Sequence, residues 1–137
     1  MSSSTAGGTH TVLVFSHDPA IREQVRTAVG RRPASDLGRI EFREVSTAAE
    51  VMAAADAGGV DLVILDAEAQ PTGGFGLGHT IHQEVVDPPL MVLLVRRRDD
   101  RWLAAWARAD GTVMYPVDAV EAAATVAGLL RRLTVAR

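Results

Sequence analysis

An unbroken apolar run at residues 62–65, which ends on a single carboxylate, most strongly constrains the fold of this chain. The run reads Leu-Val-Ile-Leu without polar alternation, so it predicts a strand covered on both faces, as in a parallel sheet packed between helices. Asp66 follows immediately. Because ligands and chemistry gather at the carboxyl ends of strands in open α/β sheets, Asp66 is a candidate functional acid. The alternative is that Asp66 starts a turn, a common role of aspartate.

Four other segments also have the pattern of strands, and a helical pattern follows each strand. Helix starts are marked by Asp18 before Pro19, by Thr47 with Glu50, and by Asp99 or Asp100 in the fourth helix. Strands that alternate with helices in this way predict a five-stranded parallel sheet with helices on both faces. The predicted strands are residues 11–15, 39–45, 62–65, 90–95 and 112–115, and the predicted helices are 19–29, 48–57, 75–86, 100–109 and 119–133.

The length and composition of the chain predict one globular domain. It has 137 residues, of which 47% are hydrophobic, and we place a flexible tail at residues 1–10 and the domain at 11–135. A net charge of -3 gives no electrostatic case for nucleic acid as a partner. The absence of cysteine excludes disulfides and thiolate metal sites. No segment reaches the ~18 consecutive apolar residues of a membrane span, and the polar N-terminus is unlike a signal peptide. We therefore expect a cytoplasmic protein without membrane contact.

The order and spacing of these units resemble the receiver domain of bacterial response regulators, the CheY-like, flavodoxin-like (βα)5 doubly wound fold. The resemblance covers roughly residues 12–133 and is carried by the segments FSHDPAIREQV, VDLVILD and ADGTVMYP. In receivers the second segment carries the phosphoryl-accepting aspartate, which the resemblance places on Asp66. We expect no output domain after the fifth helix, so the expected protein is a response regulator that stands alone.

The phosphorylation machinery of receivers is matched poorly. The resemblance places the acidic pair on Ser16 and His17, the lysine on Tyr115 and the phosphate-reading threonine or serine on Val95. Mg²⁺ prefers hard oxygen ligands in near-octahedral geometry, so we expect no bound metal, or a weak Mg²⁺ site in which His17 and Asp66 are the remaining candidates. The four replaced positions are thus vestigial, and the chain resembles an atypical receiver, or pseudo-receiver.

Several charged residues have two interpretations each. Arg96 begins a run of three arginines after the fourth strand, where it could bind an anion or a partner or pair with Asp66; alternatively, the run is a solvated charged surface. His17 could pair with Asp66, or it could be an exposed loop residue. His79 and His82 share a helical face, which suits either a metal clip or two surface histidines.

The two tryptophans, Trp102 and Trp106, lie one turn apart on the predicted fourth helix. Two large rings on one helix face suit either core packing or a protein-binding surface. Receivers form dimers and bind partners through the fourth helix, fifth strand and fifth helix, and the resemblance places Trp106 on an outward position. It therefore implies a protein partner, with a sensor histidine kinase as one candidate, and a homodimer through that face as another.

The favoured function is therefore a stand-alone pseudo-receiver that acts through protein–protein contact and has no enzymatic activity. Asp66 is retained in it as a poorly supported phosphoacceptor. The first alternative is a conventional receiver of a two-component system, phosphorylated on Asp66. The second alternative is a flavodoxin-like module that binds a small ligand or is an enzyme, although the sequence contains no recognisable set of nucleophile and base.

Overall fold

A computed structural model of the protein describes residues 8–68, 74–97 and 100–136, and these residues form a five-stranded parallel sheet between two layers of helices. The strands are β1 (His10–Phe15), β2 (Ile40–Val45), β3 (Leu62–Asp66), β4 (Leu90–Val95) and β5 (Gly111–Met114), and the helices are α1 (Pro19–Val29), α2 (Ala48–Ala57), α3 (Gly74–Glu84), α4 (Arg101–Trp106) and α5 (Ala119–Ala136). The strand order is β2-β1-β3-β4-β5, and every pair is parallel. The predicted doubly wound fold is confirmed.

The central strands pack alternate residues on opposite faces of the sheet. Val12 and Ile64 belong to a core that α1 and α5 complete. Leu13 and Leu65 belong to a second core, which α2, α3 and α4 complete. All five residues of β3 are buried. Burial on both faces explains why this strand lacks the polar alternation of a half-exposed strand.

The capping residues recognised in the sequence begin the first helix as predicted. The Asp18 carboxylate accepts a hydrogen bond from the backbone N–H of Ala20 at 2.9 Å, and Pro19 is the first helical residue. The helix ends before Gly30, whose φ of 77° lies in the left-handed region that glycine adopts without strain. Asp18 therefore acts as the cap of α1, which directs the chain away from the end of β1.

The fourth helix is shorter than predicted: it ends at Trp106 instead of Ala109. Arg108 has a φ of 62°, and the backbone N–H of Ala109 bonds to the carbonyl of Ala104 at 2.9 Å, so the chain closes the helix with a left-handed residue. The Asp100 carboxylate accepts from the N–H of Arg97 at 3.3 Å and makes no capping bond to the helix. Asp99 lies outside the described residues. The chain turns here because the backbone N–H of Asp110 donates to the Met91 carbonyl, near the start of β4.

The ends of the domain differ slightly from the predicted bounds. Strand β1 begins at His10, inside the predicted tail, and α5 continues to Ala136. Residues 1–7 of that tail lie outside the described residues, so the division into tail and domain stays a prediction. No helix in the described part of the chain has the length and hydropathy needed to cross a membrane.

The capping box of α2 should make a contribution to stability that depends on pH. Glu50 accepts hydrogen bonds from the backbone N–H groups of Ser46 and Thr47 at 3.2 and 3.1 Å, and the Thr47 hydroxyl accepts from the Glu50 N–H. The Ser46 N–H, followed by the Thr47 hydroxyl, lowers the pKa of Glu50 below its ordinary value of 4.5. Because the folded-state pKa lies below the unfolded value, this stabilisation is present above about pH 4.5 and disappears as the pH falls through the folded-state pKa.

Replacing Glu50 with glutamine should therefore lower the free energy of unfolding at neutral pH. The difference from wild type should narrow as the pH falls below 4.5, as measured by urea denaturation at a series of pH values. A difference that does not change with pH would contradict a stabilising role of the ionised carboxylate.

Candidate functional site

The candidate acid lies at the carboxyl edge of the sheet, between the two strands where the strand order reverses. Phe15 of β1 is opposite Leu65 of β3 in the parallel register, so the next residues, Ser16 and Asp66, are neighbours. Strand β2 lies on the other side of β1, which makes the β1–β3 boundary the switch point of the sheet. This is the position at which open α/β sheets hold their sites.

Both carboxylate oxygens of Asp66 accept hydrogen bonds from the protein. The Ser16 hydroxyl donates to Oδ2 at 2.8 Å, and the backbone N–H of Glu68 donates to Oδ1 at 3.0 Å. The two side chains are enclosed, since Ser16 is 1% exposed and Asp66 is 4% exposed. A buried carboxylate needs such donors because desolvation is costly without them. The pair therefore joins the ends of β1 and β3.

Ser16 is itself held in place by several groups. Its hydroxyl accepts from the N–H of Asp18 at 3.1 Å, and its own N–H donates to the Val45 carbonyl of β2 at 3.3 Å. The Arg22 guanidinium donates to the Ser16 carbonyl and, at 3.0 Å, to the Glu44 carboxylate. Arg22 was not among the residues that the sequence pattern indicated. Its position one turn after the Asp18 cap, on the same helix edge, was the available signal.

The two residues after Ser16 lie on the rim of the site and are exposed. His17 is at the carboxyl edge of β1, as the sequence predicted, and its pairing with Asp66 stays a hypothesis. Asp18 uses its Oδ1 atom to cap α1. The cap interpretation of Asp18 is therefore the one that the geometry supports.

Val95, Arg96 and Tyr115 lie together at the other side of the carboxyl edge. Val95 ends β4 and is fully buried, and its carbonyl accepts from the Tyr115 N–H at 2.7 Å. The Arg96 guanidinium carbon lies 4.5 Å from the centroid of the Tyr115 ring, in a cation–π contact. Among the ion pairs of the described residues there is none between Arg96 and Asp66. Tyr115 thus fixes a positive charge at the lysine position that the resemblance assigns to it.

The histidines of α3 contact different surroundings. His79 stacks on Trp106 with ring centroids 4.0 Å apart and planes inclined by 8°. His82 has a buried Nε2 atom without a hydrogen-bond partner among the described residues. Within those residues, no three side chains of histidine, cysteine, aspartate or glutamate cluster as metal ligands would. The structure therefore gives no support to a metal clip.

Both tryptophans of α4 have exposed rings. Trp102 is 68% exposed and Trp106 is 49% exposed, which excludes the interpretation that either ring is buried in the core. The stacking of Trp106 on His79 joins α4 to α3. We call the surface formed by His79, Trp102 and Trp106 the aromatic surface.

The chain is similar to two curated relatives that share one description. These are uncharacterized response regulatory proteins of two Mycobacterium tuberculosis strains, each 42% identical over 120 residues, which cover 88% of this chain and 90% of the relative. No protein-family model matches the chain.

Solved structures of low sequence identity share the fold. The Francisella response regulator 1452 receiver domain has a TM-score of 0.75 at 15% identity, covering 90% of this chain and 98% of that one. A CheY-like receiver domain protein from Methanospirillum hungatei has a TM-score of 0.72 at 16% identity, covering 95% and 100% of the two chains.

Proposed function

The chain belongs to the response regulator family, and we propose that it is a stand-alone pseudo-receiver, which signals through protein–protein contact without phosphorylation of Asp66. Receiver domains of two-component systems interact with proteins such as sensor kinases. A pseudo-receiver keeps this fold and its binding surfaces. Its active surface is set by the resting fold and not by a phosphoryl group.

The hydrogen bonding of Asp66 is the observation that carries the proposal. A phosphoacceptor must present a carboxylate oxygen to the incoming phosphorus atom. In this chain Oδ2 accepts from the Ser16 hydroxyl and Oδ1 accepts from the Glu68 N–H, in a site that is almost fully buried, so a phosphodonor would have to compete with both donors and reach an enclosed carboxylate. Asp66 is therefore well suited to a structural role, in which it holds the ends of β1 and β3 together.

The donor set at this edge does not fit Mg²⁺. The ion needs several hard oxygen ligands around an octahedron, and carboxylates supply most of its binding energy in such sites. Asp66 contacts the Ser16 hydroxyl, the next residue, His17, offers an imidazole and is exposed, and the Asp18 carboxylate is engaged at the helix cap. Without the ion, the negative oxygens of a phosphodonor approaching Asp66 would lack the charge that normally offsets them.

Two further residues support the same proposal. Val95 has no hydroxyl with which to bond a phosphoryl oxygen, and Tyr115 carries a neutral phenol where receivers have a lysine.

The alternative, a conventional phosphorylated receiver, rests on Arg96, because its guanidinium over the Tyr115 ring supplies one positive charge at the site. A single cation can stabilise an acyl phosphate, but it does not open the buried carboxylate to attack.

The test is a reaction of the full chain with acetyl phosphate, with and without millimolar Mg²⁺. Intact-protein mass spectrometry should detect no phosphoryl adduct in either case, because Asp66 is enclosed and lacks a metal site. Mg²⁺ should also leave the melting temperature unchanged, since a ligand that does not bind the folded state cannot stabilise it.

The matched control is Asp66→Asn, which removes the acceptor and keeps its size. Neither wild type nor Asp66→Asn should show a phosphoryl adduct. An adduct that depends on Mg²⁺ and is missing in Asp66→Asn would replace this proposal with the conventional receiver.

A further inference from the structure

The exposed indoles of α4 are unusual for a small domain. Trp102 and Trp106 are the two tryptophans of the chain, they lie one turn apart, and 68% and 49% of them face solvent. Large exposed aromatic rings that adjoin one another mark interaction sites, since exposing them to water is unfavourable. Tryptophan is also among the residues that dominate binding energy at protein interfaces.

The contact with α3 gives this surface a defined shape. The His79 ring lies parallel to the Trp106 ring at 4.0 Å, which restricts the rotation of both side chains. A side chain that is already restricted loses less conformational entropy when a partner binds than a mobile side chain does. The aromatic surface therefore spans α3 and α4, whereas the dimer face predicted from the sequence consists of α4, β5 and α5.

The segment of sequence that carries the two indoles is rich in positive charge, in a chain that is negative overall. Residues 96–108 contain five arginines and two aspartates, whereas the net charge of the chain is -3. Of these arginines, Arg96, Arg97 and Arg108 are described and exposed, and Arg96 is held over Tyr115. Exposed arginines close in sequence to exposed aromatic rings suit a ligand that combines carboxylates with apolar side chains.

We propose that the aromatic surface binds an acidic peptide segment of a partner protein. The apolar side chains of the segment would cover the two indoles, and its carboxylates would meet the flanking arginines. This inference rests on the proposed function, because a regulator that acts without a phosphoryl group needs a binding surface present in the resting fold. To that function the inference adds the kind of partner segment that the surface binds.

Two other occupants fit the charges less well. A two-fold dimer through this surface would place the same patch on both subunits, so that arginines would face arginines. Nucleic acid would meet the positive patch but would be repelled by the remainder of an acidic chain, and its binding depends on many phosphate contacts.

The probe is a displayed library of random dodecapeptides selected on the full-length protein. Peptides retained on a variant that carries both Trp102→Ala and Arg97→Glu are removed by counter-selection. We expect the remaining peptides to be enriched in aspartate or glutamate together with leucine, phenylalanine or tryptophan. A synthetic peptide of the enriched sequence should change the tryptophan fluorescence of the wild type and bind more weakly at high salt.

Single variants then locate the binding site. Trp102→Ala should weaken the Kd of this peptide ~10-fold or more, as loss of a central aromatic contact does, and Arg97→Glu should weaken it through charge. The matched control is Val120→Ala on α5, which truncates a side chain that is 78% exposed and should leave the Kd unchanged. Urea denaturation midpoints of all three variants should remain close to wild type.

Four outcomes would overturn the inference. Two concern the peptide: a selection without acidic enrichment, and a peptide whose Kd does not respond to Trp102→Ala. The other two concern other occupants: self-association of the wild type that Trp102→Ala abolishes, and tighter binding of a single-stranded oligonucleotide than of the peptide. Phosphorylation of Asp66 would overturn the proposed function alone, since the peptide measurements need no phosphodonor.

Discussion

Replacing Ser16 with aspartate should lower the free energy of unfolding by about 3–5 kcal/mol at neutral pH in the presence of a chelator. The Ser16 hydroxyl lies 2.8 Å from Oδ2 of Asp66, and both side chains are buried. The substitution removes a donor and places a second carboxylate beside the first. At a separation of 4 Å and an effective dielectric constant of 20, two such charges repel by about 4 kcal/mol.

Two conditions should each reverse part of this loss. Lowering the pH should restore stability, because one of the two crowded acids can take up a proton. Mg²⁺ should also restore it, since two carboxylates with water are a ligand set that the ion accepts. At a Mg²⁺ concentration ten times its Kd, the expected gain is ~1.4 kcal/mol. Chemical denaturation with and without Mg²⁺ measures both effects.

The control for this substitution is Ser16→Asn, which has nearly the same shape as aspartate without the charge. Its amide can donate to Asp66, so it should lose less stability and should not respond to Mg²⁺. If Ser16→Asp and Ser16→Asn are equally stable in chelator, Asp66 is not enclosed as described, and the structural role proposed for it fails.

The second large effect is expected at Ile81, which anchors the third helix. The sequence of α3, GFGLGHTIHQE, contains three glycines, and each costs about 1 kcal/mol of helix propensity relative to alanine. The helix therefore depends on tertiary packing, and Ile81 is fully buried while Leu77 is 3% exposed. Ile81→Ala should lower the free energy of unfolding by about 2–5 kcal/mol, the range for such truncations in a close-packed core.

The same substitution should also disturb the aromatic surface, because His79 is carried by α3. We expect a change in the fluorescence of Trp106 at denaturant concentrations below the main unfolding transition. Val86→Ala is the matched control: Val86 is 95% exposed, and its truncation should change the stability by less than about 0.5 kcal/mol. A loss below about 1 kcal/mol in Ile81→Ala would show that α3 is not packed on the sheet as described.

The sequence by itself determined the sheet, the alternation of strands and helices, and the place of Asp66. Strand β3 was recognisable because burial on both faces leaves an unbroken apolar run, and the caps at Asp18 and Thr47 act on the nearest backbone N–H groups. These are local properties, which depend on residues a few positions apart, so they can be recognised in the order of residues along the chain.

Only the tertiary structure decided which groups meet at the site. The sequence offered His17 and Arg96 as partners of Asp66, 49 and 30 positions away, and it did not identify Ser16, 50 positions away, as a hydrogen-bond donor. The register of β1 against β3 selects Ser16, whereas the ring of Tyr115 holds Arg96. Such pairings depend on strand register and side-chain direction in three dimensions. The energy differences between them, about 1–3 kcal/mol, leave no periodic pattern in the sequence.

The exposure of Trp106 was decided in the same way. Its position on α4 suited a core residue or a surface residue equally, since both have the same helical spacing. The early end of α4 at Trp106 and the stacking on His79 leave the ring half exposed. Helix length here follows from the left-handed turn at Arg108 and from the bond of the Asp110 N–H to the Met91 carbonyl, which is a contact with a distant strand.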